Sequence, residues 1–193
     1  MKQFDPTGYD FDHPSWHFRL EDRLKALLGE PLFYGPLFDR QGGFQGREKV
    51  LDFGCGGGVS TRCIARRLKS GGSVTGVDVS SHFVRMAERR IREFPNARVV
   101  RSDIRELALD PGTFDIVSVI HVLHDIAPAD RLSTFQALVR LLGQDGRLWL
   151  LEFTRPGHGM PVEEIRELAS KSSLVEGEAE EKRSTFRAVY RRA

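Results

Sequence analysis

The run Val50-Leu51-Asp52-Phe53-Gly54-Cys55-Gly56-Gly57-Gly58 constrains this chain more than any other stretch. A short apolar strand leads straight into a glycine loop, and from Val59 onward the spacing becomes helical. Glycines at alternate positions let the chain turn tightly and bring backbone N–H groups against a ligand, while the following helix start supplies a partly positive end. Of the 19 glycines, seven lie between positions 42 and 58: Gly42, Gly43 and Gly46 loosen the joint before the strand, and the rest form the loop. A nucleotide P-loop would need a Gly-Lys-Ser or Gly-Lys-Thr ending, which is absent. A dinucleotide fingerprint starting at Gly54 would need glycine in place of Val59, and one starting at Gly56 would need it in place of Thr61. Neither register works, which argues against a nicotinamide-dependent oxidoreductase.

The order of elements around this loop predicts an α/β domain. Strand candidates at Lys49–Phe53, Ser73–Asp78, Arg98–Ser102, Phe114–Val119 and Arg147–Phe153 alternate with helical stretches near Val59–Lys69, Ser81–Glu93 and Pro128–Leu142. Such alternation implies a parallel sheet with helices on both faces. The tail changes rhythm: a helix over Pro161–Ser172 precedes strand-like runs at Leu174–Glu181 and Phe186–Arg191, which suggests a closing antiparallel hairpin. Residues 1–48 read differently. Trp16, Leu20, Leu24 and Leu27 predict one amphipathic helix ending at Gly29, followed by an aromatic, proline-punctuated run and a Gly-rich linker from Gln41 to Gly46. The expected organisation is a cap over 1–48 and a main domain over 49–193.

Composition mostly excludes. A formal charge of +2 is too weak to demand nucleic acid or an anionic membrane as partner. The two cysteines, Cys55 and Cys63, offer neither a disulfide framework nor a zinc knuckle, so a reducing, cytoplasmic setting is expected. The N-terminal residues lack the apolar core of a signal peptide, and no apolar run approaches the roughly 20 residues of a membrane span.

With the set Asp52-x-Gly54-x-Gly56-x-Gly58, the chain resembles the S-adenosyl-L-methionine-dependent methyltransferases of the Rossmann-like class from about Lys49 onward. That resemblance implies a mostly parallel seven-stranded sheet with a C-terminal antiparallel strand. It implies a glycine loop (Gly54, Cys55, Gly56, Gly58) against the methionine part of the cofactor, with Asp52 orienting its ammonium group. Asp78, ending the strand Gly76-Val77-Asp78, matches the acid that accepts from both ribose hydroxyls. Asp103 in Arg101-Ser102-Asp103-Ile104 matches the position against the adenine amino group, and Val79 and Ile104 are placed to sandwich the ring. Cys55 reads as a small packing residue.

The segment Phe114 to Asp125 looks like the family's fourth strand and the loop beyond it, and it carries no Asn-Pro-Pro-Tyr type motif. His124, and secondarily His121, are candidates for a general base that takes a hydroxyl proton, a role open beside packing or capping. His121 is also a candidate cofactor contact. Two histidines three apart without nearby cysteine ligands make a poor metal site, and none is expected. Arg155, His158 and Met160 in the loop after the fifth strand, with Trp16, Phe33, Tyr34 and Phe38 before the main domain, are candidates for substrate contact or plain packing. The expected activity is methyl transfer to oxygen or carbon of a small molecule. A non-catalytic cofactor-binding accessory protein and a methyltransferase acting on nucleic acid are the alternatives.

Overall fold

The computed structural model describes residues 28–41, 43–69 and 71–193. The helix expected before Gly29 lies outside the described residues except for its last two positions, which are helical, and Trp16 lies outside them altogether. Seven strands form a sheet in the order β3-β2-β1-β4-β5-β7-β6. By contact density the chain divides between Asp103 and Ile104 into two compact units.

The N-terminal unit opens with a π-helical turn, Glu30–Tyr34, that runs into α1 (Gly35–Arg40). Sequence punctuation at Pro31, Gly35 and Pro36 hides this helix. Both prolines occupy first-turn positions, where a missing N–H costs no intrahelical bond. Phe38 is fully buried, stacks on Tyr34 and meets Phe44 edge-on, so it is core, whereas Phe33 stays exposed. Then follow β1 (Lys49–Phe53), α2 (Val59–Arg67), β2 (Ser73–Asp78), α3 (Ser81–Ile91) and β3 (Ala97–Arg101). Strands β1, β2 and β3 pair in parallel, with Asp52 opposite Gly76 and Asp78 opposite Arg101. The middle of β1 and all of β2 but Ser73 are buried, as expected of parallel strands covered on both sides. The half-exposed β3 is an edge.

The C-terminal unit contains β4 (Phe114–Ile120), a 3-10 turn (Leu123–Asp125), α4 (Pro128–Leu141), β5 (Leu142–Phe153), α5 (Val162–Lys171), β6 (Leu174–Lys182) and β7 (Thr185–Arg192). β4 and β5 pair in parallel; β7 runs antiparallel to both β5 and β6. The segment Gly143-Gln144-Asp145-Gly146 precedes the expected strand Arg147–Phe153, yet it lies within β5. Phe114 pairs with Leu142 and Ile116 with Arg147, so the extra residues bulge from the ladder. Trp149, Phe135, Phe186 and Tyr190 fill this unit's core.

Candidate functional site

In the N-terminal unit the strand ends and the glycine loop form a cradle. Gly54 and Cys55 both donate to the Val77 carbonyl, which sews the loop to the end of β2, and Gly58 donates to the Cys55 carbonyl to close the turn. Gly54, Gly56 and Gly58 all have positive φ, the left-handed region that disfavours side chains with a Cβ. At Gly58 a Cβ would also lie 2.7 Å from the Ala87 Cβ, so this glycine lets α2 pack on α3. At Gly56 no described residue lies within 4 Å of that direction, so among the described residues the space above the backbone is open.

Asp78 is almost fully buried, and its carboxylate is held from both sides. Its Oδ2 accepts the Gly56 N–H at 2.9 Å and its Oδ1 accepts the Ser80 N–H at 2.9 Å. Helix capping falls to Ser80, whose hydroxyl accepts the Phe83 N–H, so Asp78 is not needed for it. Val79, half-buried, follows directly, and its carbonyl accepts from Arg101. Asp103 is half-buried, while Ile104, which belongs to the other unit, is buried.

Asp52 turns inward. It is 2% exposed, and its Oδ2 accepts from the Ser60 and Thr61 hydroxyls, each at 2.7 Å. Burial raises its pKa from the usual carboxylate value to about 6; the Thr61 and Ser60 bonds oppose that rise and the negative charge of Asp78 adds to it. Cys55 is buried, and burial followed by the charges of Asp52 and Asp78 pushes its thiol well above the ordinary range. It contributes packing and backbone here, not a thiolate nucleophile.

In the C-terminal unit the loop after β4 gathers the histidines. His121 has φ 53°, donates its N–H to the Leu151 carbonyl, and stacks on Phe153 with ring centroids 3.8 Å apart. His124 is buried, with its Nδ1 2.6 Å from Glu152 Oε1 and its Nε2 3.4 Å from Asp125 Oδ1. Burial pulls the His124 pKa down, but the hydrogen bond and charge of Glu152, with the charge of Asp125, outweigh that and leave it above the ordinary histidine value; Arg131 opposes them. His158 packs edge-on against His124, Arg155 lies over the Phe153 ring, and Met160 is buried. Glu152 is a member of this cluster that sequence reasoning missed. The signal was a lone carboxylate in the apolar run Leu148-Trp149-Leu150-Leu151-Glu152-Phe153. Among the described residues no group of three His, Cys, Asp or Glu side chains is arranged to hold a metal ion, and no helix is long and apolar enough to cross a membrane.

A parallel α/β sheet with a glycine loop after β1 and an acid ending β2 defines a nucleoside-binding class of fold. Residues 50–146 match the methyltransferase-domain family, half of the chain, and the chain belongs to that family. It is 30% identical over 152 residues to an uncharacterized methyltransferase of Synechocystis, an alignment covering 78% of this chain and 68% of that protein. It is also 30% identical over 111 residues to the ubiquinone/menaquinone biosynthesis C-methyltransferase of Idiomarina loihiensis, covering 56% of this chain and 43% of that one. The chain thus spans less than half the length of that relative. A crystal structure of an S-adenosylmethionine-dependent methyltransferase from Aquifex aeolicus superposes with a TM-score of 0.75 at 19% identity, covering 94% of this chain and 98% of the other. At that identity the likeness shows the fold.

Proposed function

We propose that the chain is an S-adenosyl-L-methionine-dependent methyltransferase acting on oxygen or carbon of a small molecule. The observation that carries this is the cradle itself: a buried Asp78 tied to the Gly56 N–H, above which no described residue lies within 4 Å, with the buried Asp52 ahead of the same loop. When bound, S-adenosyl-L-methionine supplies a sulfonium methyl carbon whose departure leaves a neutral thioether. Because the donor is already activated, holding donor and acceptor in line supplies most of the acceleration, and the chain's task is chiefly positional.

Asp78 would accept from the ribose hydroxyls, and Asp52 would meet the ammonium group. Gly54, Cys55, Gly56 and Gly58 would line the amino-acid end with backbone. Val79 and Asp103 would receive the adenine. For His124 to take a proton it must present a neutral Nε2. Its Nδ1 faces Glu152 Oε1 at 2.6 Å, and its Nε2 lies 3.4 Å from Asp125 Oδ1. The quinone-pathway C-methyltransferase among the relatives supports a small-molecule acceptor.

Calorimetry with S-adenosyl-L-methionine and S-adenosyl-L-homocysteine tests the cofactor: both bind the folded wild type, and binding of neither would discard the proposal. Release of S-adenosyl-L-homocysteine upon addition of a metabolite extract separates an enzyme from a non-catalytic binder.

A further inference from the structure

We propose that Glu152 is a positioning residue for this reaction: its carboxylate sets the backbone of the loop Val122–Asp125 at the end of β4, through hydrogen bonds that only a carboxylate can accept. The inference rests on the methyl-transfer reading for its effect on turnover, and on geometry alone for its effect on the loop.

Glu152 is fully buried near the end of β5. Its Oε2 accepts the Leu123 N–H at 2.7 Å and the Val122 N–H at 3.2 Å. Its Oε1 accepts the Phe153 N–H at 2.8 Å and faces His124 Nδ1 at 2.6 Å. Four donors thus converge on one carboxylate from two directions, which offsets the large cost of burying its charge. The acceptor of the Val122 and Leu123 amides is this side chain, not a carbonyl of a helix or strand ladder.

A carboxylate presents acceptors on both oxygens, whereas an amide has an acceptor on one side and a donor on the other. Glu152→Gln therefore keeps size and shape but must set an N–H₂ against either the Val122 and Leu123 amides or the Phe153 amide. Either placement faces donor with donor.

Position gives this clamp its consequence. In parallel α/β sheets ligands sit beyond the carboxyl ends of the strands, and both the loop and Glu152 lie at that end of the paired strands β4 and β5. The loop is fastened from its other side by Arg131 of α4, which donates to the Ile126 and His124 carbonyls and pairs with Glu164 of α5. The groups facing the His124 ring are Glu152 from β5, neighbouring Asp125, Arg131 from α4 and His158 from the loop after β5.

The test compares wild type, Glu152→Gln and His124→Asn by amide hydrogen exchange and by NMR titration of His124. Calorimetry with S-adenosyl-L-homocysteine serves as the check of folding. In Glu152→Gln, protection of the Val122 and Leu123 amides falls and the His124 titration midpoint moves below that of the wild type, with cofactor affinity retained. In His124→Asn, which keeps an N–H donor toward Glu152, the protection persists. With a panel of soluble phenols and hydroquinones as acceptors, Glu152→Gln lowers kcat by about tenfold to a hundredfold, the scale of a small misplacement near the reacting groups. Its KM for cofactor stays unchanged.

Unchanged protection and an unchanged His124 midpoint in a folded Glu152→Gln would overturn the proposal. So would loss of protection in His124→Asn equal to that in Glu152→Gln. Should Glu152→Gln not fold, the wild type decides, because Val122 and Leu123 amides that exchange as fast as an open loop refute the clamp. Failure of the wild type to turn over any acceptor would count against the methyltransferase reading, while the exchange data still judge the clamp.

Discussion

The Asp78 carboxylate accepts the Gly56 N–H at 2.9 Å, tying the end of β2 to the glycine loop that leaves β1. One side chain thereby shapes the loop and presents acceptors beside it. Removing it has two effects that truncation of an ordinary ligand contact would not combine. Asp78→Ala should weaken S-adenosyl-L-homocysteine binding by about tenfold to a hundredfold, the loss expected from charge-assisted hydrogen bonds of about 1.5–3 kcal/mol. It should also raise exchange at the Gly56 amide. Calorimetry and amide exchange together check this, and wild-type affinity in the variant would remove Asp78 from the cofactor site.

If Asp52 meets the cofactor's ammonium group as proposed, cofactor affinity should depend on pH. Its pKa of about 6 in the folded chain lies above the ordinary value of 3.8, so the folded state holds a proton between those values that the unfolded state releases. The contribution of this group to stability therefore falls as pH rises through that window. An ammonium group beside Asp52 favours its ionised form, while Asp78 favours the neutral one and the Ser60 and Thr61 hydroxyls favour the ionised one. Affinity for S-adenosyl-L-homocysteine should accordingly rise by about tenfold from pH 5 to pH 7 and level off above, as the ionised fraction does. Calorimetry across that range gives the slope, which Asp52→Asn should flatten.

Gly56 and Gly58 separate binding from folding. Gly58→Ala combines a left-handed φ of 79° with a Cβ 2.7 Å from the Cβ of Ala87, and that neighbour is fully buried. Its cost begins at about 1–2 kcal/mol from the backbone alone. The melting temperature should drop by about 5 °C or more for a chain of this length. Gly56→Ala meets no atom of the described residues, so its thermal shift should be the smaller of the two. Its methyl group enters the open space above the loop and should weaken cofactor binding by about tenfold, or about 1.4 kcal/mol. Thermal melts and calorimetry on the pair distinguish the two roles.

Both thiols should be inert in the folded protein. Burial pushes Cys63 up to about 12, with Arg67 opposing, and pushes Cys55 well above its usual value, with Asp52 and Asp78 adding to the effect. The thiolate is the reactive form. An aromatic disulfide reagent at pH 7.5 should label neither cysteine in native protein and both after denaturation. Rapid native labelling of Cys55 would show that the loop opens.

Local spacing carried most of the fold. β1 and β2 start and stop at the expected residues because apolar runs ending in Gly or Asp are local signals. The expected hairpin of β6 and β7 likewise rests on two strand-like runs around a short polar turn. The helical turn at 30–40 was hidden because its prolines and glycine also spell a loop, and only packing of Phe38 into the core decides between them.

By itself the sequence determined the α/β class, the glycine cradle and the acid at the end of β2, since each depends on residues adjacent along the chain. Tertiary structure alone decided that Asp52 points inward onto Ser60 and Thr61, and that His124 is bound to a carboxylate 28 residues away. It also placed β7 between β5 and β6. The physical reason is that a side chain's protonation and partners follow from burial and from what long-range strand pairing brings beside it. The identity of a histidine or an aspartate states its chemistry, while its surroundings decide whether that chemistry is used to bind, to react or to hold a loop in place.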